Sequence, residues 1–219
     1  CHDMEVITQG SGFRAMAMMA SMSVYHPDII KFITAKTTEG KMSNTNISVV
    51  VDDAFMKLVS ESPNHEHWVK FGGETWTLVR DIETGKVECA SIKGTSHLYA
   101  KKLITVGEIF NLIVEGAWKN GEPGLLFYDK INDSPYKYSG QEIMTTNVCG
   151  EQPLPFNGVC TLGSLDVSKF LNNDKSINLE LLELATRLSV KFLDNVISIN
   201  TYPTQEITNW AKDNRAIGL

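Results

Sequence analysis

Apolar positions along this chain alternate between strand-like runs and helix-like three-to-four-residue spacing, which predicts α/β architecture. Residues Ala15 to Val24 (AMAMMASMSV) read as a buried strand with small polar interruptions. His26-Pro27-Asp28 opens a helix, because proline suits the first turn and aspartate favours the N-terminal dipole. That helix should run to about Thr38 and stop at Gly40. Lys41 to Asn46 (KMSNTN) is a polar loop, Ile47 to Val51 a β-branched strand, and Asp52 or Asp53 caps a short helix through about Val59. Trp76 to Arg80 and Lys86 to Ile92 alternate around Glu83-Thr84-Gly85 and predict a hairpin.

Thr105-Val106-Gly107-Glu108 has the form of a capping box. The helix it starts carries Ile109, Leu112, Ile113 and Ala117 on one face and ends near Gly121. Leu125 to Tyr128 is a short buried strand, Ile143 to Val148 another, and a further strand follows Cys160 to about Val167. Leu181, Leu184, Ala185, Leu188, Phe192, Val196 and Ile197 keep helical spacing. After Thr201-Tyr202-Pro203 a last helix carries Ile207, Trp210 and Ala211.

At 219 residues the chain can bury a substantial core. It shows no internal repeat and no linker between two domains. A net charge of -6 leaves no basic footprint for nucleic acid. No apolar run approaches the ~20 residues that cross a bilayer, so no membrane partner is expected. Cys1-His2-Asp3-Met4-Glu5 lacks the basic flank and apolar stretch of a signal peptide. Four cysteines are too few for a disulfide scaffold, which fits a reducing cytoplasm. The Asn46-Ile47-Ser48 sequon therefore carries no weight. Both ends read as cuts in a longer chain.

The chemistry concentrates in Asn147-Val148-Cys149-Gly150-Glu151. In an extended backbone alternate side chains share a face, so Asn147, Cys149 and Glu151 would project together. An amide anchor, a hydrogen-atom or nucleophile site and a base would then lie side by side. A second thiol, Cys160, follows eleven residues on, across a segment broken by Pro153, Pro155 and Gly158. Taken singly, Cys149 would more often be an inert buried thiol, and for Cys160 a core thiol is the lesser alternative. Cys89 falls in the expected hairpin and reads as inert. His65-Glu66-His67 offers two imidazoles without a further ligand at useful spacing, so a solvated loop is preferred to a metal site. Met16, Met18, Met19 and Met22 read as core filler.

The segment TNVCGEQPLPFNGVCTLGSLDVSKF (Thr146 to Phe170) resembles the active-site strand and loop of ribonucleotide reductases, in their adenosylcobalamin-dependent, class II form. MSVYHPDIIKFITAK (Met22 to Lys36), GKMSNTNISVVVDDAFM (Gly40 to Met56), EGAWKNGEPGLLFYDKIN (Glu115 to Asn132), VKFLDNVISINTYPTQEI (Val190 to Ile207) and NRAIGL (Asn214 to Leu219) are similar to further blocks of that family, in the same order. The resemblance is weakest between Ser60 and Lys102. It implies part of a ten-stranded α/β barrel with a central finger loop, residues 1–219 being the central portion of the catalytic barrel domain and incomplete at both ends.

It also implies radical replacement of a ribose 2′-hydroxyl by hydrogen, with adenosylcobalamin as cofactor and no metal ligands on this chain. Cys149 would carry the thiyl, Glu151 would be the general base, and Asn147 would hold the ribose hydroxyls. Cys160 would be one member of the reducing dithiol. The second member lies on an earlier strand in the family, so flanking segments would be needed for turnover. A cysteine at position 1 also matches the residue that follows an intein splice point in such proteins. Arg14, within Phe13-Arg14-Ala15-Met16, and Lys41, Ser43 and Asn44 sit where the family places its effector and specificity loops. One arginine and one glycine of the family pattern are replaced there. The implied partners are a ribonucleoside di- or triphosphate, a dNTP or ATP effector and a thioredoxin-like reductant, with a homodimer left open. Two alternatives stand: a class I large-subunit fragment, or a non-catalytic split segment that assembles with complementary polypeptides. A cysteine hydrolase is more distant, because no histidine has the context of a base.

Overall fold

The computed structural model describes residues 17–37, 42, 44–91, 100–135 and 140–219. The chain divides into two compact units, Cys1–Pro153 and Leu154–Leu219. The architecture is mixed α/β with several separate sheets. Among the described residues no sheet closes into a barrel.

The first unit is organised by a three-stranded parallel sheet in the order β1-β2-β7, made of β1 (Met18–Ser23), β2 (Thr45–Val51) and β7 (Gly124–Phe127). Met19 pairs with Asn46, Ser21 with Ser48 and Ser23 with Val50, while Ser48 pairs with Gly124 and Val50 with Leu126. Register partners share a face, which separates two surfaces. Ile47, Val49 and Val51 turn to one side and are buried. Val49 and Val51 join Val24, Ile29, Ile33, Phe55, Ile109 and Ile113 in the core. Ser21, Ser23, Asn46, Ser48 and Val50 form the other side, a polar face. β1, expected to be buried, is only half-buried because it is the edge strand of this sheet.

Helix α1 (Ile29–Ile33) is much shorter than the span expected from Pro27 to Thr38. Its C-terminal threonines bond backward: the Thr34 hydroxyl donates to the Ile30 carbonyl at 2.8 Å and the Thr37 hydroxyl to the Thr34 carbonyl at 2.8 Å. Such local bonds compete with helix propagation. Nor does Asp28 cap the helix; its carboxylate pairs with Lys31 instead. Helix α2 (Asp53–Glu61) is capped by Asp52, whose Oδ1 accepts from the Phe55 amide at 2.7 Å.

An antiparallel sheet follows, made of β3 (Trp68–Phe71), β4 (Glu74–Asp81), β5 (Val87–Ser91) and β6 (Lys101–Leu103). The expected β4–β5 hairpin is present, with Arg80 opposite Val87. The β3–β4 hairpin is an addition. Its two-residue turn is Gly72-Gly73, both at positive φ, which is the signature of a tight hairpin.

Helix α3 (Val106–Asn120) begins at Thr105, whose hydroxyl accepts from the Glu108 amide at 3.2 Å. Only this half of the capping box forms: the Glu108 carboxylate reaches Arg80 at 2.6 Å. Gly121 ends the helix in the left-handed conformation, φ +79°. The buried stripe is Val106, Ile109, Ile113 and Gly116, while Ala117 is exposed. The stripe turns to Gly116 because the Glu122–Pro123 backbone crosses there, and a Cβ on Gly116 would lie 2.8 Å from the Glu122 carbonyl oxygen. After β7 come α4 (Tyr128–Asn132), β8 (Ile143–Thr146) and β9 (Pro153–Pro155).

In the second unit β10 (Thr161–Leu162) pairs in parallel with β11 (Ile217–Gly218). The strand expected to reach Val167 stops at Leu162, where its two-residue partner ends, and Asp166 then caps a 3₁₀ turn at Val167–Phe170. Helices α5 (Leu179–Ile199) and α6 (Gln205–Asn214) follow. The helical spacing in α5 is as expected, but its burial is not. Leu193 and Ile197 are buried, whereas Leu184, Leu188 and Phe192 are 55%, 58% and 67% exposed. Arg215 ties the C-terminal turn to α5 through Asp194 at 2.6 Å.

Candidate active site

β8 leads directly into the candidate thiol. Its start is held by Asn132 of α4, whose Oδ1 accepts from the Ile143 amide at 2.8 Å and whose Nδ2 donates to the Ile143 carbonyl at 3.0 Å. The backbone then turns rather than continuing extended. The Gly150 amide donates to the Asn147 carbonyl at 3.1 Å, and Gly150 has φ +86°, a conformation that side chains disfavour. The turn is closed at its base: the Asn147 amide donates to the Gln152 carbonyl at 3.1 Å, and Asn147 Oδ1 accepts from the Gln152 amide at 2.9 Å. Strand alternation therefore does not align Asn147, Cys149 and Glu151, as an extended backbone would have done.

Two of the three meet by another route. Asn147 Nδ2 donates to Glu151 Oε1 across the turn. Asn147 thus uses its oxygen to close the loop and its nitrogen to hold the carboxylate. Cys149 stands at the tip, an exposed free thiol. An exposed sulfur can be reached by a group from outside the turn. Cys160 lies in the second unit and is half-buried.

The turn is anchored to the polar face of the parallel sheet. Asn46 Nδ2, on β2, donates to the Val148 carbonyl at 2.9 Å. The same face borders a cavity of about 480 Å³ lined by Ser21, Ser23, Tyr25, Val50, Asp52 and Met144, among others. That volume falls in the range of small-molecule sites. Small side chains keep the face open, and Gly124 leaves room for the Ser48 hydroxyl, which a Cβ there would approach to 2.9 Å.

Tyr25 donates its hydroxyl to Asp52 Oδ1 at 2.8 Å. Burial, and then the Asp52 carboxylate, push its phenol well above the usual range, so Tyr25 is a fixed donor. It stacks on His67, ring centroids 6.1 Å apart. His67 is not in a solvated loop: it is 1% exposed, and its Nε2 lies 2.9 Å from the Val24 carbonyl. A carbonyl only accepts, so Nε2 carries the proton. Burial holds the His67 pKa below its ordinary value. Among the described residues no group of three metal-ligating side chains assembles.

Arg14, Lys41 and Ser43 lie outside the described residues. Asn44 is placed just before β2, where its carbonyl accepts from the Met18 amide at 2.8 Å. Sequence reasoning missed Asn46, Tyr25 and Asp52 as parts of the site. A signal existed for the first: Asn46 and Ser48 alternate with apolar residues in an otherwise β-branched strand, marking a polar face. Cys89 is exposed on β5. No helix among the described residues is long and apolar enough to cross a membrane.

A β-strand thus leads into a tight turn that carries an exposed thiol, with an amide–carboxylate pair at its base. The chain matches the family model described as ribonucleotide reductase, barrel domain, over residues 2–219, and it belongs to that family. It is 36% identical over 217 residues to a vitamin B12-dependent ribonucleoside-diphosphate reductase of Thermoplasma acidophilum, covering 98% of this chain and 25% of that protein. Its identity to one of the same description from Mycobacterium tuberculosis is 34% over 215 residues, covering 98% of this chain and 27% of that protein. Against the ribonucleoside-diphosphate reductase large subunit of Danio rerio it is 24% over 221 residues, covering 97% and 28%. The chain thus spans about a quarter of the length of the relatives it matches.

Proposed function

We propose that this chain carries the thiyl-bearing finger of an adenosylcobalamin-dependent ribonucleotide reductase acting on ribonucleoside diphosphates. The observation that carries the reading is the Asn147–Glu151 hydrogen bond at the base of a turn whose tip is an exposed, free Cys149. The higher identity to the two vitamin B12-dependent relatives than to the Danio rerio large subunit supports the class II form over class I.

Adenosylcobalamin, when bound, supplies the acceptor for a thiol hydrogen atom. Cys149, open on the outer side of its turn, gives up that atom and is left as a thiyl. The thiyl takes the ribose 3′-hydrogen; S–H and activated C–H bonds are close in strength, so the exchange runs both ways. Glu151 accepts the 3′-hydroxyl proton as general base. Asn147, already bonded to Glu151, keeps the second hydrogen of its Nδ2 for a ribose oxygen. The 2′-hydroxyl then leaves as water, and a dithiol supplies two electrons as it closes to a disulfide. Cys160 is one of these thiols; the other comes from elsewhere in the enzyme. The 3′-hydrogen finally returns from the Cys149 thiol.

The polar face of the parallel sheet, with its cavity, is the surface on which the nucleotide lies. This reading places the first unit within a ten-stranded barrel. Arg14, Lys41, Ser43 and Asn44 answer to a nucleotide effector, and a thioredoxin-like protein restores the dithiol. The exposed apolar side of α5 fits a chain that works together with the remaining portions of such an enzyme.

The test is substitution in the full-length reductase, with product deoxynucleotide measured by chromatography. Cys149→Ala should abolish product. Cys160→Ser should stop steady-state turnover with a dithiol while tritium release from 3′-labelled substrate persists. Residual reduction by C149A would refute the thiyl assignment, and sustained turnover by C160S would refute the dithiol role.

A further inference from the structure

We propose that Asn46 is a positioning residue for the reaction, a strut that sets where the Cys149 sulfur stands. This rests on the reading of Cys149 as the thiyl site. Nearly all hydrogen bonds described for the turn are local: Gly150 to Asn147, Asn147 to Gln152, and Asn147 to Glu151. They fix the shape of the turn but not its place over the sheet. Asn46 supplies that. Its Nδ2 donates to the Val148 carbonyl at 2.9 Å, from a residue 102 positions away in sequence.

The acceptor matters as much as the donor. The Val148 carbonyl belongs to the peptide plane that includes the Cys149 nitrogen. Peptide planes are rigid, so holding that oxygen holds the direction from which the Cys149 Cα and side chain depart. Asn46 itself cannot drift. It lies within β2, in parallel register with Met19, and its neighbours Thr45 and Ile47 are 2% and 1% exposed. The strut therefore runs from a largely buried strand to the peptide immediately before the sulfur. Asn46 reaches no reacting atom in this arrangement; it acts through Cys149.

Position is worth a great deal in such a step, because a misplacement of about 1 Å can cost roughly 100-fold in rate. In the full-length reductase N46A and N46D should lower kcat by about 10- to 100-fold while KM for the ribonucleoside diphosphate stays within about threefold. N46D is the sharper variant, isosteric but unable to donate to a carbonyl. N46Q keeps the donor and should regain most of the rate. A second readout needs no turnover: iodoacetamide labelling of each cysteine, followed by peptide mapping. The Cys149 labelling rate should depart from the parental rate by about fivefold in N46A and N46D, as the sulfur changes its orientation, with Cys160 as unchanged internal reference.

Parental kcat and parental Cys149 labelling in N46D would overturn the proposal. Equal losses in N46A, N46D and N46Q with Cys160 labelling rising in step would also overturn it, by revealing general loosening. C149A, run in parallel, separates the two levels. If C149A still reduced substrate, the thiyl reading would fall, yet the labelling ratio would still decide whether Asn46 holds the turn.

Discussion

Asp52 offers the clearest energetic test, because one oxygen serves two elements. Its Oδ1 accepts from the Phe55 amide at 2.7 Å, capping α2, and from the Tyr25 hydroxyl at 2.8 Å, bordering the cavity. Asp52→Ala removes both. Loss of an N-cap costs about 1 kcal/mol. Depriving the Tyr25 hydroxyl of a charged acceptor would cost about 1.5–3 kcal/mol if fully buried, but Tyr25 is half-buried and water can replace part of it, so about 1 kcal/mol is expected. The sum is about 2 kcal/mol, which at a typical urea m-value of about 2 kcal/mol/M lowers the unfolding midpoint by about 1 M. Asp52→Asn, an equally good cap with a neutral acceptor, should lose only about 0.5 kcal/mol. Tyr25→Phe should cost about 1 kcal/mol, and the double variant D52A/Y25F should fall short of the sum of the singles by about the same amount. Urea titration at pH 7, followed by tryptophan fluorescence, reads all four. Equal costs for D52A and D52N, or strict additivity of D52A and Y25F, would refute the shared-oxygen account.

Two further predictions concern the core. His67 is buried as a neutral imidazole with a lowered pKa, so the folded state resists its protonation. Its contribution is complete above the unfolded value of about 6.5 and is lost as pH falls toward the folded value, at up to about 1.4 kcal/mol per pH unit. Unfolding free energies of the parent and H67Q between pH 7.5 and 5 should therefore converge on acidification; parallel curves would contradict this. Gly116→Ala inverts a common rule: alanine in a helix usually gains about 1 kcal/mol over glycine, but here its Cβ would lie 2.8 Å from the Glu122 carbonyl oxygen. G116A should destabilise by about 1–2 kcal/mol, measured in the same urea titration, and a gain in midpoint would show that the crossing backbone gives way.

What could be read from sequence was local chemistry. Asp52 as a cap, Thr105 and Gly121 at the ends of α3, and the β4–β5 hairpin depend on contacts within a few residues, and all are present. Family membership was legible because ordered blocks run nearly the whole chain, and the match over residues 2–219 bears it out. Local reasoning failed where local bonds competed, as with the threonines that end α1, or where a distant segment intervened, as with the backbone that crosses at Gly116. His67 is the plainest case: its flanks read as a polar loop, yet Tyr25, Phe55 and the Val24 carbonyl enclose it.

The candidate site divides the same way. The sequence by itself determined which groups are available: a thiol, an amide and a carboxylate within five residues, with a glycine between thiol and carboxylate. Their arrangement was decided by tertiary structure. A period-two backbone would have put all three on one side, but the left-handed Gly150 folds the segment back, so that Asn147 and Glu151 meet through a hydrogen bond. No pattern along the chain could pair Asn46 with Val148, because that contact exists only once β2 has packed and its polar face has found the turn. Side-chain identity is written residue by residue; the direction in which a thiol stands depends on a peptide plane held from far away.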